Sequence, residues 1–250
     1  SVAFPWRFLH WGTIFPNMIA FCMLPASLWL FVNLFSGKQR LGALSSNGIL
    51  AGITLCTLVV AQPNAVFTLG VLVLPFILMQ LYVFGKNQGG DRNRLRGVLY
   101  AGAFFLLVAA LWLVLRKVPF LSAVVNTAWG SVSTPPQALL DIVTMKLPGT
   151  WDPFAAPQLI MALLCVIGCV VLIRKRTNSW LIVSFIFVAM IYFVDASTDG
   201  RLKLWLAGYW YADPSRTAAM VALAAVPLCA YGMGWLLKKI SLRFGTSSQM

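Results

Sequence analysis

The chain has 250 residues, of which 60% are hydrophobic and 10% are charged. A soluble domain usually carries about 25% charged residues, so this composition excludes an ordinary soluble protein. The net charge of +13 would suit a nucleic-acid-binding protein, but the basic residues lie between long apolar runs, which excludes nucleic acid as a partner. We therefore predict an all-α, polytopic membrane protein with a single transmembrane domain over residues 1–250.

The apolar runs predict about seven membrane-spanning helices. The break at residues 62–64 contains Pro63 and divides a run that is too long for one span at about 1.5 Å per residue. The predicted spans lie near 14–35, 47–61, 65–84, 97–115, 158–173, 179–194 and 217–237.

Two long polar segments, 116–157 and 195–216, separate the later spans. The first contains several prolines and one amphipathic stretch, Gln137 to Lys146, which predicts a short helix lying at the membrane interface. Long ordered loops of this kind often carry function.

Loop charge predicts the orientation of the chain in the membrane. Alternating the loops places most of the 19 basic residues on one side, in the segments 38–40, 86–96, 174–176 and 238–243. The positive-inside rule makes this side cytoplasmic. We therefore predict a multi-pass protein of the cytoplasmic membrane with its amino end outside and its carboxy tail inside, and with segments 116–157 and 195–216 outside.

The densest group of polar and aromatic residues lies in segment 195–216 and should face the outer side. Aromatic faces stack on sugar rings, carboxylates accept hydrogen bonds from hydroxyl groups, and an arginine can bind a phosphate through two hydrogen bonds. At the start of the last span, Asp213 should cap the helix and lie within reach of Arg216. The candidate substrate-binding residues of this group are Asp195, Asp199, Arg201, Tyr209, Trp210, Tyr211, Asp213 and Arg216.

A second candidate group lies at the outer end of the first span and contains Arg7 and His10, the only histidine of the chain. No metal-ligand spacing is present in the sequence, so no metal ligands are assigned. A divalent cation bound by outer carboxylates is nevertheless one candidate cofactor. For both groups an ordinary structural role is the alternative, because Tyr and Trp gather at membrane interfaces and Arg anchors helix ends.

Several short motifs lie near the ends of the predicted spans. They are Pro5-Trp6-Arg7, Trp11-Gly12, Pro16-Asn17, Gln62-Pro63-Asn64 and Trp210-Tyr211-Ala212-Asp213-Pro214-Ser215-Arg216. These motifs, and the last of them most specifically, resemble those of a family of large, uncharacterised actinobacterial membrane proteins. That family in turn resembles the GT-C glycosyltransferases, polytopic enzymes that use polyprenyl-phosphate sugars outside the cytoplasmic membrane.

The resemblance implies a GT-C-like fold and a role for Asp213, Arg216 and Arg201 in binding a donor or acceptor. GT-C enzymes carry a catalytic carboxylate in their first outer loop, and this chain is expected to start beyond that point. It would then be the carboxy-terminal membrane half of a longer protein, and its catalytic residue is not assigned.

We therefore expect the membrane portion of a GT-C-like glycosyltransferase that uses a polyprenyl-phosphate-linked sugar at the outer face. Its expected partners are membrane lipid, that sugar donor, and an amino-terminal membrane segment or partner subunit. One alternative is a non-catalytic subunit that binds or transports lipid. Another is a scaffold whose small helix residues pack against a partner. These small residues are Gly48, Gly52, Ala218, Ala222 and Ala225.

Overall fold

The prediction of an all-α protein is confirmed, because the described part of the chain contains helices, turns and loops without a strand. The computed structural model of the chain describes residues 2–10, 14–36, 41–88, 93–127, 129–149 and 155–243. Its α-helices are α1 Arg7–His10, α2 Phe15–Phe35, α3 Leu41–Ala61, α4 Asn64–Lys86, α5 Asn93–Leu115, α6 Pro119–Val125, α7 Pro135–Val143, α8 Leu159–Lys175, α9 Trp180–Ser197, α10 Arg201–Ala207 and α11 Pro214–Arg243.

Each predicted span corresponds to a helix, and among the described residues five of them are long and apolar enough to cross a membrane: α2, α4, α5, α9 and α11. The chain is therefore a helical membrane protein. Of the other two predicted spans, α8 has 17 residues and α3 contains the shorter apolar stretch Ser46–Ala61.

The helices follow the predicted apolar runs but extend beyond them at most ends. The last helix shows this most clearly, because α11 covers residues 214–243 where the apolar run predicts 217–237. Polar flanking residues continue the helical hydrogen bonding after the apolar run has ended. The predicted break is confirmed, since only Gln62 and Pro63 separate α3 from α4.

The two long polar segments are more ordered than the sequence indicates. Segment 116–157 contains α6 as well as α7, and segment 195–216 contains α10 followed by a short 3-10 turn, Gly208–Trp210. The predicted helix Gln137–Lys146 is confirmed as α7, although it ends at Val143.

Helix α11 packs against α8 and α9, while α4 packs against α2, α3, α5 and α9. Close approach of α11 to α8 depends on two glycines. A Cβ atom at Gly168 would overlap the carbonyl oxygen of Leu228, and one at Gly232 would overlap the carbonyl oxygen of Leu164. Glycine at both positions lets the backbones touch, which is a common way for helices to associate in membranes.

The small residues of the predicted scaffold surface divide into two sets. On α11, Ala218, Ala222 and Ala225 are buried within the chain, so their packing partners are its own helices rather than another protein. On α3, Gly48 and Gly52 have open space around the position that a Cβ atom would take, with no described atom within 4 Å of it. A partner that packs on small residues, as the scaffold interpretation requires, could therefore use α3 but not these residues of α11.

Candidate functional site

The two long polar segments contact each other at one end of the helix bundle, which we call the loop end. The backbone N–H groups of Val132 and Ser133 both donate to the carbonyl oxygen of Ala196, each over 2.9 Å. Ser131 donates to the Asp199 carboxylate through its backbone N–H at 3.0 Å and its hydroxyl at 2.9 Å. These bonds fix residues 131–133 against the carboxyl end of α9.

The amino-terminal segment reaches the same loop end. Arg7 is buried, and its Nε donates to the hydroxyl of Ser215 over 3.4 Å. A Cβ atom at Gly149 would lie 2.6 Å from the Ser215 Oγ and 3.0 Å from the Arg7 Nε. Gly149 of segment 116–157 therefore lies beside Arg7 of the amino-terminal group and beside Ser215 of segment 195–216.

A cavity of about 680 Å³ opens at the loop end, between residues 129–133, α7 and residues 146–149. Its wall combines hydroxyl, amide, carboxylate and ammonium groups with one indole ring. The lining residues are Trp129, Gly130, Ser131, Val132, Ser133, Gln137, Asp141, Lys146, Pro148 and Gly149.

The charged side chains of this wall are Asp141 and Lys146. Asp141 is completely buried, and its carboxylate accepts hydrogen bonds from Gln137 Nε2 at 2.8 Å and from Ser133 Oγ at 3.3 Å. The Lys146 ammonium lies 3.8 Å from Asp141 Oδ1, and its side chain is 31% exposed. One carboxylate is therefore fixed in the wall beside a partly exposed cation.

The backbone around Lys146 adopts an unusual conformation. Met145 and Leu147 have positive φ angles of 53° and 45°, in the left-handed region that costs a non-glycine residue about 1–3 kcal/mol. Both of these side chains are buried. Their burial stabilises the strained backbone. Lys146 therefore lies between two buried apolar side chains, those of Met145 and Leu147.

Asp213 and Arg216 form the predicted arrangement at the start of α11. Asp213 Oδ1 accepts a hydrogen bond from the backbone N–H of Ser215 at 2.9 Å, so it caps the helix. Its other carboxylate oxygen lies 3.5 Å from Arg216 Nε, and the Arg216 guanidinium lies 4.1 Å from the centre of the Tyr211 ring. These residues do not line the cavity. They are close to it because their neighbour Ser215 lies beside the lining residue Gly149.

Asp195 lies at the end of α9, where the structure buries it completely. Thr217 Oγ1 donates to its Oδ2 at 2.7 Å, and the ammonium of Lys203, which is 1% exposed, lies 3.5 Å from its Oδ1. The ion pair joins α9 to α10, and the hydrogen bond from Thr217 adds α11. Because no ligand can reach these side chains in this conformation, the predicted direct contact of Asp195 with a substrate is not supported.

Tyr209 and Trp210 were expected to stack on a sugar, and their positions do not support this role. Both rings are buried, with Tyr209 stacked on Phe67 at 4.1 Å between ring centres. The Trp210 indole N–H donates to Thr68 Oγ1 at 2.8 Å, and burial raises the pKa of Tyr209. These rings instead dock the segment after α10 onto α4.

The remaining predicted residues are dispersed. Asp199 is exposed and binds Ser131 as described, while Arg201 is exposed on α10. His10 ends α1, and its side chain lies outside the described part of the chain. Within that part, no group of three or more His, Cys, Asp and Glu side chains is placed to bind a metal ion, so the candidate divalent cation has no ligand set there.

The sequence interpretation missed the cavity itself. It assigned Gln137, Asp141 and Lys146 to an interfacial helix, and did not include Ser133 or Trp129. One signal was present, because Asp141 and Gln137 lie four residues apart and therefore share a face of α7. The burial of Asp141, which distinguishes it from an ordinary loop carboxylate, depends on distant segments.

The model of one protein family, described as "Family of unknown function (DUF6541)", matches residues 1–249. No curated protein matches the chain, and no solved structure matches it. The resemblance to GT-C glycosyltransferases therefore stays a prediction.

Proposed function

The chain belongs to the DUF6541 family, and from its own geometry we propose that it is the membrane portion of a GT-C-like glycosyltransferase. Its cavity would bind the head group of a polyprenyl-phosphate-linked sugar. The observation that supports this proposal is an open cavity of about 680 Å³, with hydroxyl, amide and charged groups set in a largely apolar wall, at the end of a bundle of apolar helices.

The groups of the cavity wall suit a sugar phosphate. The hydroxyl oxygens of Ser131 and Ser133 and the amide oxygen of Gln137 can accept hydrogen bonds from sugar hydroxyls. Trp129 is a partly exposed aromatic residue of the kind that stacks on sugar rings, and Lys146 offers a positive charge for a phosphate. The volume falls in the range of about 300–1,000 Å³ that is typical of small-molecule sites.

The position of the cavity suits a ligand that is anchored in lipid. The cavity wall is bonded to Ala196 at the end of α9, so it begins where a membrane-spanning helix ends. Elsewhere on the bundle, the apolar span window of α5 contains no buried residue. The head group would occupy the cavity while its polyprenyl chain runs along the apolar helices.

We propose further that α3 and α8 complete a set of seven spans, and that the loop end faces the outside of the cytoplasmic membrane. The contacts among Arg7, residues 131–133, Ala196 and Ser215 support this arrangement, because they bring together segments that the alternation of spans assigns to one side. The basic loops then lie at the opposite, cytoplasmic end.

A second candidate is a non-catalytic subunit that binds the same lipid. The hydrogen bonds of Asp141 favour it, because this carboxylate already accepts two of them and lies beside Lys146. Such a carboxylate is arranged to position neighbouring groups rather than to remove a proton from a substrate. Transfer of radiolabelled sugar from the donor to an acceptor would favour the transferase, whereas binding without transfer would favour the lipid-binding subunit.

Gly149→Ala should abolish or strongly weaken binding of a polyprenyl-phosphate sugar to the purified chain in lipid nanodiscs. The added Cβ would lie 2.6 Å from Ser215 Oγ and 2.9 Å from Ser215 Cα, so the cavity wall must move away from α11. Gly130→Ala is the matched control, since Gly130 lines the same cavity but has open space around it. Equal donor binding by both variants and the parent chain would refute the proposed site.

Orientation is tested by chemical labelling in intact cells. A cysteine introduced at the exposed Ser131 should react with a membrane-impermeant maleimide, whereas one introduced at the exposed Lys175 should react only after the cells are permeabilised. The reverse pattern would show that the loop end faces the cytoplasm.

A further inference from the structure

We propose that Lys146 is the residue of the cavity that binds phosphate, and that Asp141 is its resting partner, which the phosphate displaces. This inference rests on the proposed function, because the phosphate is expected to belong to a lipid-linked sugar. The recognised chemistry is a phosphate monoester or diester anion, whether it is carried by a lipid or free in solution.

The Lys146 ammonium retains its capacity to bind a ligand. Its Nζ lies 3.8 Å from Asp141 Oδ1, beyond hydrogen-bonding distance, and it donates no hydrogen bond within the described part of the chain. The side chain is 31% exposed and lines the cavity. Three N–H donors are therefore available to an anion that enters the cavity.

Asp141 is fixed in place whether or not Lys146 is paired with it. The carboxylate is buried and accepts hydrogen bonds from Gln137 at 2.8 Å and Ser133 at 3.3 Å. The Lys146 ammonium lies beyond hydrogen-bonding distance of this carboxylate and its side chain is partly exposed, so a phosphate can displace Asp141 as its partner. Asp141 keeps both of its hydrogen bonds when Lys146 turns away.

The backbone supports the same role for Lys146. Met145 and Leu147, which flank it, are buried and adopt left-handed backbone conformations, so the segment is strained on both sides of the lysine. Strain of this kind persists only where surrounding packing enforces it, and it is concentrated at functional sites. An ordinary surface lysine would not need this geometry.

The test measures binding of two probes, polyprenyl monophosphate and inorganic phosphate, to the full chain in nanodiscs of neutral lipid. Lys146→Ala should weaken the binding of both probes roughly ten-fold or more, because a charge-assisted hydrogen bond is lost. Lys146→Arg should retain most of the affinity. Lys146→Gln, which keeps much of the length of the side chain, provides a second neutral variant if the alanine variant does not fold.

A companion variant separates phosphate binding from a purely structural role. Asp141→Asn keeps a side chain that can bond with Gln137 and Ser133 but removes the charge that attracts Lys146. It should therefore leave phosphate affinity unchanged or increase it, while Lys146→Ala decreases it. Lys117→Ala, at an exposed lysine outside the cavity, is the control and should change neither affinity.

The outcomes distinguish this inference from the proposed function. Equal binding of polyprenyl monophosphate by the parent chain and both neutral Lys146 variants would overturn the inference and leave the proposed function standing. Lysine-dependent binding of inorganic phosphate without any binding of polyprenyl monophosphate would support the phosphate site and overturn the lipid-linked substrate. Binding of neither probe to the parent chain would overturn both.

Discussion

Gly232→Ala should lower the stability of the protein by about 1–3 kcal/mol, the usual cost of overpacking a close contact. The added Cβ would overlap the carbonyl oxygen of Leu164, and this atom belongs to the α8 backbone, so no side chain can move aside to relieve the clash. The two helices must separate instead. Thermal unfolding of the purified protein in detergent, followed by loss of the monodisperse peak in gel filtration, measures the effect.

Gly234→Ala is the matched control, because Gly234 lies on the same helix two residues away and has open space around it. This substitution should leave stability unchanged or raise it by up to about 1 kcal/mol, since alanine favours the helix. If the two variants unfold at the same temperature, α8 and α11 do not cross at Gly168 and Gly232.

Lys203→Met should have the largest effect on stability, about 3–5 kcal/mol, because it leaves the buried Asp195 carboxylate without its cation. The same ion pair connects α10 to α9 at the loop end, so its loss should also loosen the segment between α9 and α11. Melting temperature in detergent and proteolysis within residues 198–212 would report the two effects separately.

The double substitution Lys203→Met with Asp195→Asn tests the cause of this loss. It removes both charges, so it should recover much of the stability that the single variant loses. Lys117→Met, at an exposed lysine, should have little effect. A double variant as unstable as Lys203→Met alone would mean that the ion pair is not the source of the destabilisation.

The sequence predicts the helices well because their signal is local. Long apolar runs predict every long helix, although α3 begins at Leu41 rather than 47 and α11 ends at Arg243 rather than 237, and Pro63 marks the turn between α3 and α4 correctly. Helices α6 and α10 are not predicted because long-range contacts support them. One such contact is the hydrogen bond from Arg116 Nη1 to the carbonyl oxygen of Leu204 at 2.7 Å.

In the candidate site too, local features are predictable from the sequence and long-range ones are not. The contact between Asp213 and Arg216 is predicted correctly because residues three apart on a helix are neighbours. The cavity is not predictable from local pattern, because it forms where residues 131–133 bond to Ala196 and where Gly149 approaches Ser215. Composition also suggests that Tyr209 and Trp210 face the membrane interface, whereas the fold uses both as internal packing.

The central claim is that the loop-end cavity binds the head group of a lipid-linked sugar phosphate. Photo-crosslinking tests it most directly, with a polyprenyl-phosphate sugar that carries a diazirine on its head group. We expect the label on peptides within residues 129–149, and its loss in the presence of unlabelled donor and in the Gly149→Ala variant. A label confined to the lipid-exposed surface of α5, unaffected by either change, would contradict the claim.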